Sequence, residues 1–312
     1  MIDLSKKKIL VTGAYGFFGR HLVRNLVEKR GVSQENLVLP RRADFDLRVW
    51  EHCKKVVEGV DVIFHLAANV GGLGYNKENP GSMFYDNIIM GTQLMEAARQ
   101  TGVEKFIVTG TVCCYPEDAP VPTKEEHLWQ GYPEENTAPY GLAKLMLLVQ
   151  GRGYEKQHGF KSIFLIPANL YGPEDHFDPT RSHVTAALVK RFVNAVKNDA
   201  PYVEVWGTGN ASREFIYIED AAEGMVLAAE RGETSTPINL GTGVETPIKE
   251  IAELIKKLTD FTGEIRWDAT KPDGRLRRKL DVSKAKRELG FEAKTPLEEG
   301  LKKTIEWYKE NT

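Results

Sequence analysis

Apolar residues fall along this chain in short continuous runs that alternate with helical stripes. "KKILVTG" at 7–13 is a brief apolar run ending in glycine, the pattern of a strand buried on both faces. The next stretch, 17–31, spaces Phe18, Leu22, Val23, Leu26 and Val27 on one helical face and stops at Gly31. "NLVLP" (36–40) and "VDVIFHLAA" (60–68) read as the second and third strands, and 86–102 as a helix. "KFIVTGT" (105–111) reads as a fourth strand, 139–159 as a helix, and "KSIFLIPANLYGP" (161–173) as one fifth strand. Strands and helices in this alternation predict an α/β fold, a Rossmann-type doubly wound parallel sheet.

Past residue 170 the pattern loosens. Helices are expected at 181–198, 217–232, 247–260 and 296–312, strands at 202–209 and 237–243, and an extended, loop-rich stretch at 263–281. This predicts a cofactor-binding domain over 1–170 and a mainly substrate-binding lobe over 171–312, with some segments returning to the first domain. A small substrate is expected in the cleft between them.

Composition narrows the classes. Lys+Arg total 42 against 44 Asp+Glu, a net charge of -2, which argues against an electrostatic nucleic-acid binder. No run of eighteen apolar residues exists and the opening residues do not resemble a signal peptide, so a soluble cytoplasmic protein is expected, with no membrane partner. Three cysteines make no disulfide framework, and no paired CxxC suggests zinc; no metal is expected.

The first candidate for chemistry is "GAYGFFG", with Gly13, Gly16 and Gly19 between a strand and a helix. There the first glycine permits the turn, the second lets backbone approach a pyrophosphate, and the third lets helix and strand pack closely. The second strand runs into Arg41 and Arg42 rather than a carboxylate, which favours the 2′-phosphate of NADP. Asp44 and Asp46 follow and keep NAD open. Tyr140 and Lys144 stand four apart in "PYGLAK", on one helical face. A nearby ammonium is expected to lower the tyrosine's pKa, and the tyrosine then passes a proton to a carbonyl oxygen as hydride arrives. Thr111, ending the fourth strand, is placed to orient that carbonyl. "CC" at 113–114 is left open by its residues alone, small buried hydrophobes being the plain alternative.

Longer strings carry a resemblance over essentially the whole chain. "HLAA" (65–68), "VGG" (70–72), "CCYP" (113–116), "NLYGPEDHF" (169–177), "SHV" (182–184), "VWGTGNASREF" (205–215) and "PDGRLRRKLD" (272–281) resemble the GDP-L-fucose synthase family of extended short-chain dehydrogenases/reductases. The resemblance implies epimerisation at C3 and C5 of GDP-4-keto-6-deoxy-D-mannose, then NADPH-dependent reduction at C4, in a homodimer. It implies that Cys113 and His183 exchange protons on opposite faces of the sugar, with Thr111, Tyr140 and Lys144 completing the catalytic set, and that Cys114 packs. It implies that Tyr15, Phe17, Phe18, Asp46, Leu47, Leu66, Ala67, Ala68, Pro167, Asn169, Leu170 and His183 join the glycines, Arg41, Arg42, Tyr140 and Lys144 around NADP. Val70, Gly71, Gly72, Asn169, Arg191, Trp206, Arg213, Asp273 and Arg275 are implied for the GDP-sugar. Thr111 stands where the family carries serine, and keeps the hydroxyl. A related epimerase resembling GDP-mannose 3,5-epimerase, or an enzyme acting on another GDP-4-keto sugar, is the competing expectation. A non-catalytic nucleotide-binding protein is the remote one.

Overall fold

The computed structural model describes residues 1–178, 182–271 and 273–312. Arg181, the first residue of the helix expected at 181–198, and Pro272, which opens the motif at 272–281, lie outside the described residues.

The chain opens as the alternation requires. Strand β1 (Ile9–Thr12) leads to helix α1 (Phe17–Glu28), β2 (Leu37–Val38), α2 (Trp50–Val56) and β3 (Val62–His65). Helices α3 (Leu73–Glu78) and α4 (Pro80–Thr101) precede β4 (Lys105–Thr109), α5 (Ala138–His158) and β5 (Ser162–Pro167). Every residue of β1, β3 and β5 is buried, which is why these strands read as continuous apolar runs rather than alternating ones. β2 is shorter than its apolar run, and its two residues are only half-buried.

The expected fifth strand divides. β5 ends at Pro167, and after Ala168 a new strand, β6 (Asn169–Tyr171), belongs to a different sheet. Ala168 marks the crossing, its amide bonded to the Leu240 carbonyl (2.8 Å). The second half continues through α6 (Val184–Lys197), β7 (Tyr202–Trp206), β8 (Ser212–Tyr217), α7 (Ile218–Arg231) and β9 (Pro237–Leu240). It ends with β10 (Glu245–Pro247), α8 (Ile248–Leu258), β11 (Glu264–Asp268), α9 (Ser283–Leu289) and α10 (Leu297–Asn311).

The main sheet is parallel throughout, in the order β2-β1-β3-β4-β5-β9. Strand order reverses beside β1, so the crevice beyond the carboxyl ends of β1 and β3 is where a ligand binds in such sheets. α4 packs on α5 and α2, and α1 on α7, as the flanking layers of a doubly wound fold. The smaller lobe holds the three-stranded sheet β10-β8-β6 and the parallel pair β11-β7. Buried Glu214 on β8 joins its parts: the carboxylate accepts the amides of Thr242 (2.7 Å), Gly243 (2.8 Å) and Leu280 (2.6 Å). No helix among the described residues is long and apolar enough to cross a membrane.

Candidate active site

The glycine loop follows β1. Gly13 has φ +73°, and a Cβ there would lie 2.9 Å from the Ala67 amide nitrogen, so only glycine fits the turn against the end of β3. A Cβ on Gly19 would lie 2.1 Å from the Gly13 carbonyl oxygen, which explains the third glycine as a helix-to-strand contact. α1 starts after Gly16 with no capping side chain and no acidic residue in its first turn. Its free amides and the positive end of its dipole therefore face the crevice without competition, the requirement for a pyrophosphate. Tyr15 is exposed beside the loop, while Phe17 and Phe18 turn into the packing of α1.

Arg41 and Arg42 are both exposed beyond β2, and the Arg41 guanidinium stacks 3.9 Å over the Tyr15 ring. Asp46 is already engaged. Its carboxylate pairs with Arg48 (2.6 Å), and that hydrogen bond, the largest influence on it, holds its pKa down at about 2. Arg48 also reaches Asp86 on α4 (3.1 Å). Leu47 is buried behind them.

The loop after β3, with Leu66, Ala67 and Ala68, is pinned at both ends. The Thr12 hydroxyl accepts the Ala67 amide (3.2 Å), which leaves its own hydrogen for His65 Nδ1 (2.9 Å). Burial holds His65 far below the ordinary histidine pKa, so the ring is neutral and able to accept. Further on, Asn87 of α4 both donates to the Asn69 carbonyl (2.8 Å) and accepts its amide (3.0 Å). Val70 is exposed, Gly71 is buried against Tyr75, and Gly72 precedes α3. Arg48, Asp86 and Asn87 were not singled out from sequence; no spacing marks them, because each acts across the fold.

Thr111 ends the run after β4 and begins a 3-10 turn, Val112–Cys114, its hydroxyl accepting the Cys113 amide (3.2 Å). The two cysteines part company here. Cys114 is fully buried, its thiol donates to the Gly141 carbonyl (3.2 Å), and burial pushes it up to about 12. Cys113 is half-exposed. A Cβ on Gly141 would lie 2.1 Å from the Cys113 carbonyl oxygen. α5 thus presses its backbone onto the cysteine turn, and Tyr140, one residue earlier, is set beside Cys113.

Lys144, one turn further along α5, is 1% exposed, and burial lowers its ammonium to about 8 with no carboxylate beside it among the described residues. In the chain alone, burial first and the neighbouring thiols of Cys113 and Cys114 second raise the Tyr140 phenol above the ordinary value. That is opposite to the lowering expected from Lys144, because desolvation of the phenolate is the largest influence on this group. The phenol is therefore protonated near neutrality, which suits a proton donor.

The remaining candidates run from the end of β5 into the smaller lobe. Pro167 ends β5, and Asn169 and Leu170 begin β6, where Asn169 Nδ2 donates to the Glu214 carbonyl (2.8 Å). His183 stands at the start of α6, as its motif suggested, its side chain reached by solvent yet with protein packed around it. That surrounding, and then the His176 ring, lower its pKa. Arg191, two turns along α6, donates to the Glu204 carbonyl (2.8 Å) and lies 5.6 Å from the exposed Trp206 ring. Arg213 donates to the carbonyls of Ser212 (2.8 Å), Arg275 (2.6 Å) and Asp273 (3.3 Å); burial, then Arg278, lowers it to about 10. The Asp273 carboxylate caps the turn after Trp206, accepting the amide and hydroxyl of Thr208 (2.7 Å each). The Arg275 guanidinium is placed on the carbonyls of Pro116 (3.1 Å) and Ala119 (2.6 Å).

Known proteins match this arrangement along its length. Residues 9–241 match the NAD dependent epimerase/dehydratase family. A probable GDP-L-fucose synthase 1 from Oryza sativa subsp. japonica is 37% identical over 307 residues, 97% of this chain and 92% of that one. The crystal structure of a GDP-6-OMe-4-keto-L-xylo-heptose reductase from Campylobacter jejuni has a TM-score of 0.90 at 30% identity, over 99% of each chain. A GDP-L-fucose synthetase from Naegleria fowleri bound to NADP gives 0.89 at 30% identity, over 98% of this chain and 95% of that one. On these matches, this chain is an enzyme that belongs to the NAD dependent epimerase/dehydratase family, in its GDP-L-fucose synthase branch.

Proposed function

We propose that this enzyme epimerises GDP-4-keto-6-deoxy-D-mannose at C3 and C5 and then reduces C4, giving GDP-L-fucose. The observation that carries the reading is the contact of Gly141 with the Cys113 carbonyl, which sets a half-exposed thiol beside the tyrosine that protonates O4. NADPH is the cofactor. The residues fit it: a glycine turn that a Cβ would fill, a helix start free of acidic groups, and two exposed arginines where a 2′-phosphate would lie. Leu66 and Ala67, just past β3, Pro167, at the end of β5, and Leu170, in β6, are its proposed neighbours. When bound, the reduced nicotinamide supplies hydride to C4.

The chain's own groups do the rest. A 4-keto group acidifies the hydrogens at C3 and C5. Cys113 and His183 remove and return those protons from opposite faces, a thiol and an imidazole being side-chain types able to exchange protons with an acidified carbon. Thr111 and Tyr140 hydrogen-bond O4 as negative charge gathers there. Tyr140 then gives O4 its proton as the ketone is reduced, and Lys144 steadies the phenolate that remains. Arg191 and Arg213 hold the diphosphate, and Trp206 walls the nucleotide.

Incubation with GDP-4-keto-6-deoxy-D-mannose and NADPH in D₂O tests this. GDP-L-fucose carrying deuterium at C3 and C5 is expected. Reduction without deuterium at either carbon would refute the epimerase half. A second reading, reduction of a GDP-4-keto heptose without epimerisation, is favoured by the similarity to the Campylobacter reductase, and that outcome would select it. We further propose a homodimer closed by α4 and α5, which carry exposed Phe84, Tyr85 and Val149; light scattering at a single-chain mass would refute it.

A further inference from the structure

We propose that Arg275 is a positioning residue, which couples the nucleotide end of the substrate site to the turn that carries Cys113. The inference rests on the GDP-sugar reading above and adds a role that a simple substrate contact would not have.

The Cys113 turn is held from two sides. On the main-sheet side, Cys114 Sγ bonds the Gly141 carbonyl and the Tyr115 hydroxyl bonds Asn239 (2.6 Å). On the other side, the carbonyls of Pro116 and Ala119 accept the two terminal nitrogens of Arg275. One planar guanidinium bridging two carbonyls fixes both position and angle, which a point charge cannot do.

The backbone that carries Arg275 is itself held by Arg213, through the carbonyls of residues 273 and 275. It is held again by Asp273, whose carboxylate grips Thr208 beside Trp206. Arg213 spends three hydrogen bonds on carbonyls, and a guanidinium has five donors, so it keeps capacity for an anion. Three guanidinium groups meet here, of Arg213, Arg275 and Arg278, and of these Arg278 is paired, with Glu134 (2.6 Å). A diphosphate on Arg213 neutralises the like charges gathered here. Once neutralised, the strap of residues 273–275 tightens, and through Arg275 it steadies the turn that carries Cys113.

Thiol alkylation reads this directly. Cys53 and Cys114 are fully buried, so iodoacetamide reports Cys113 in the folded protein, with the site confirmed by mass spectrometry. GDP is the probe; lacking the hexose, it does not itself cover the thiol. In the wild-type chain, saturating GDP should slow alkylation by at least about fivefold, the lower end of ordinary coupling between sites. Arg275→Ala should still bind GDP and NADPH by calorimetry but lose that response. Arg275→Lys keeps the charge and loses the two-carbonyl span; it reads the same way should the alanine variant fail to fold. A GDP effect of wild-type size in either variant overturns the strap, as does a wild-type thiol indifferent to bound GDP. Failure of GDP to bind the wild-type chain overturns instead the GDP-sugar reading.

Discussion

Replacing Gly141 with alanine puts the contact between α5 and the cysteine turn to a quantitative test. The added Cβ would lie 2.1 Å from the Cys113 carbonyl oxygen and 2.6 Å from its carbon, where real Cβ contacts are never under 3.0 Å. Both atoms are backbone, so no side chain can swing aside. Helix and turn must part by about 1 Å, and a misplacement of that size among reacting groups costs about a hundredfold in rate. Overpacking of this kind also costs about 1–3 kcal/mol of stability, less what alanine returns over glycine in a helix, about 1 kcal/mol. The assay is NADPH oxidation under single-turnover conditions, with Tm measured alongside. Gly153 on the same helix is the control: a Cβ there meets nothing within 4 Å, so Gly153→Ala should keep full activity and gain up to about 1 kcal/mol. A Gly141→Ala enzyme with wild-type turnover would refute the claim that this contact sets Tyr140 beside Cys113.

Three further outcomes are expected. Arg41→Ala and Arg42→Ala should raise KM for NADPH more than for NADH; equal changes for both would remove the 2′-phosphate argument from these exposed arginines. Cys113→Ser should nearly abolish solvent exchange at C3 and C5 while still reducing a correctly configured 4-keto sugar, whereas buried Cys114→Ser should mainly lower Tm, because the shorter C–O bond draws the buried hydroxyl back from the Gly141 carbonyl and leaves its desolvation poorly offset. Exchange surviving in Cys113→Ser and lost in Cys114→Ser would reverse the two roles. Lys144 titrates near 8 folded against 10.5 as its ordinary value, so between those values the unfolded chain binds more protons and stability rises with pH. Denaturation of the cofactor-free protein at pH 8 and pH 10 should show about 2 kcal/mol of that rise in the wild type and its loss in Lys144→Met; an identical slope in both would place the ammonium in water.

Much of the main sheet was legible because its strands are buried on both faces and separated by helices with clear stripes. The same continuity hid the break at Ala168. "SIFLIPANLY" is mostly apolar, and nothing in its period distinguishes one long strand from two short ones in different sheets. The partners that divide it, β9 and β8, lie more than forty residues away. β8 itself escaped notice as a strand, since Arg213 and Glu214 interrupt it; Glu214 is buried there only because three distant amides satisfy it. Short α2 and α9 escaped for the opposite reason, being mostly polar and too brief to show a stripe.

The site divides along the same line. Groups whose roles are local could be read in order: glycines in a turn, a tyrosine and lysine on one helical face, a histidine at a helix start. Gly141 shows where that reading stops. A glycine inside a helix costs about 1 kcal/mol relative to alanine, so its presence hints at a close approach. Yet α5 carries Gly153 as well, at an exposed position with open space around it. Propensity scores the two glycines alike. Only the turn brought in from residues 111–114 separates them, making one a spacer between a thiol and a phenol and leaving the other replaceable. The same holds for Arg275, whose charge suggested an anion but whose hydrogen bonds go to the carbonyls behind Cys113. Chemistry carried by single residues is written locally, while the distances between the reacting groups depend on contacts that exist only in the folded chain.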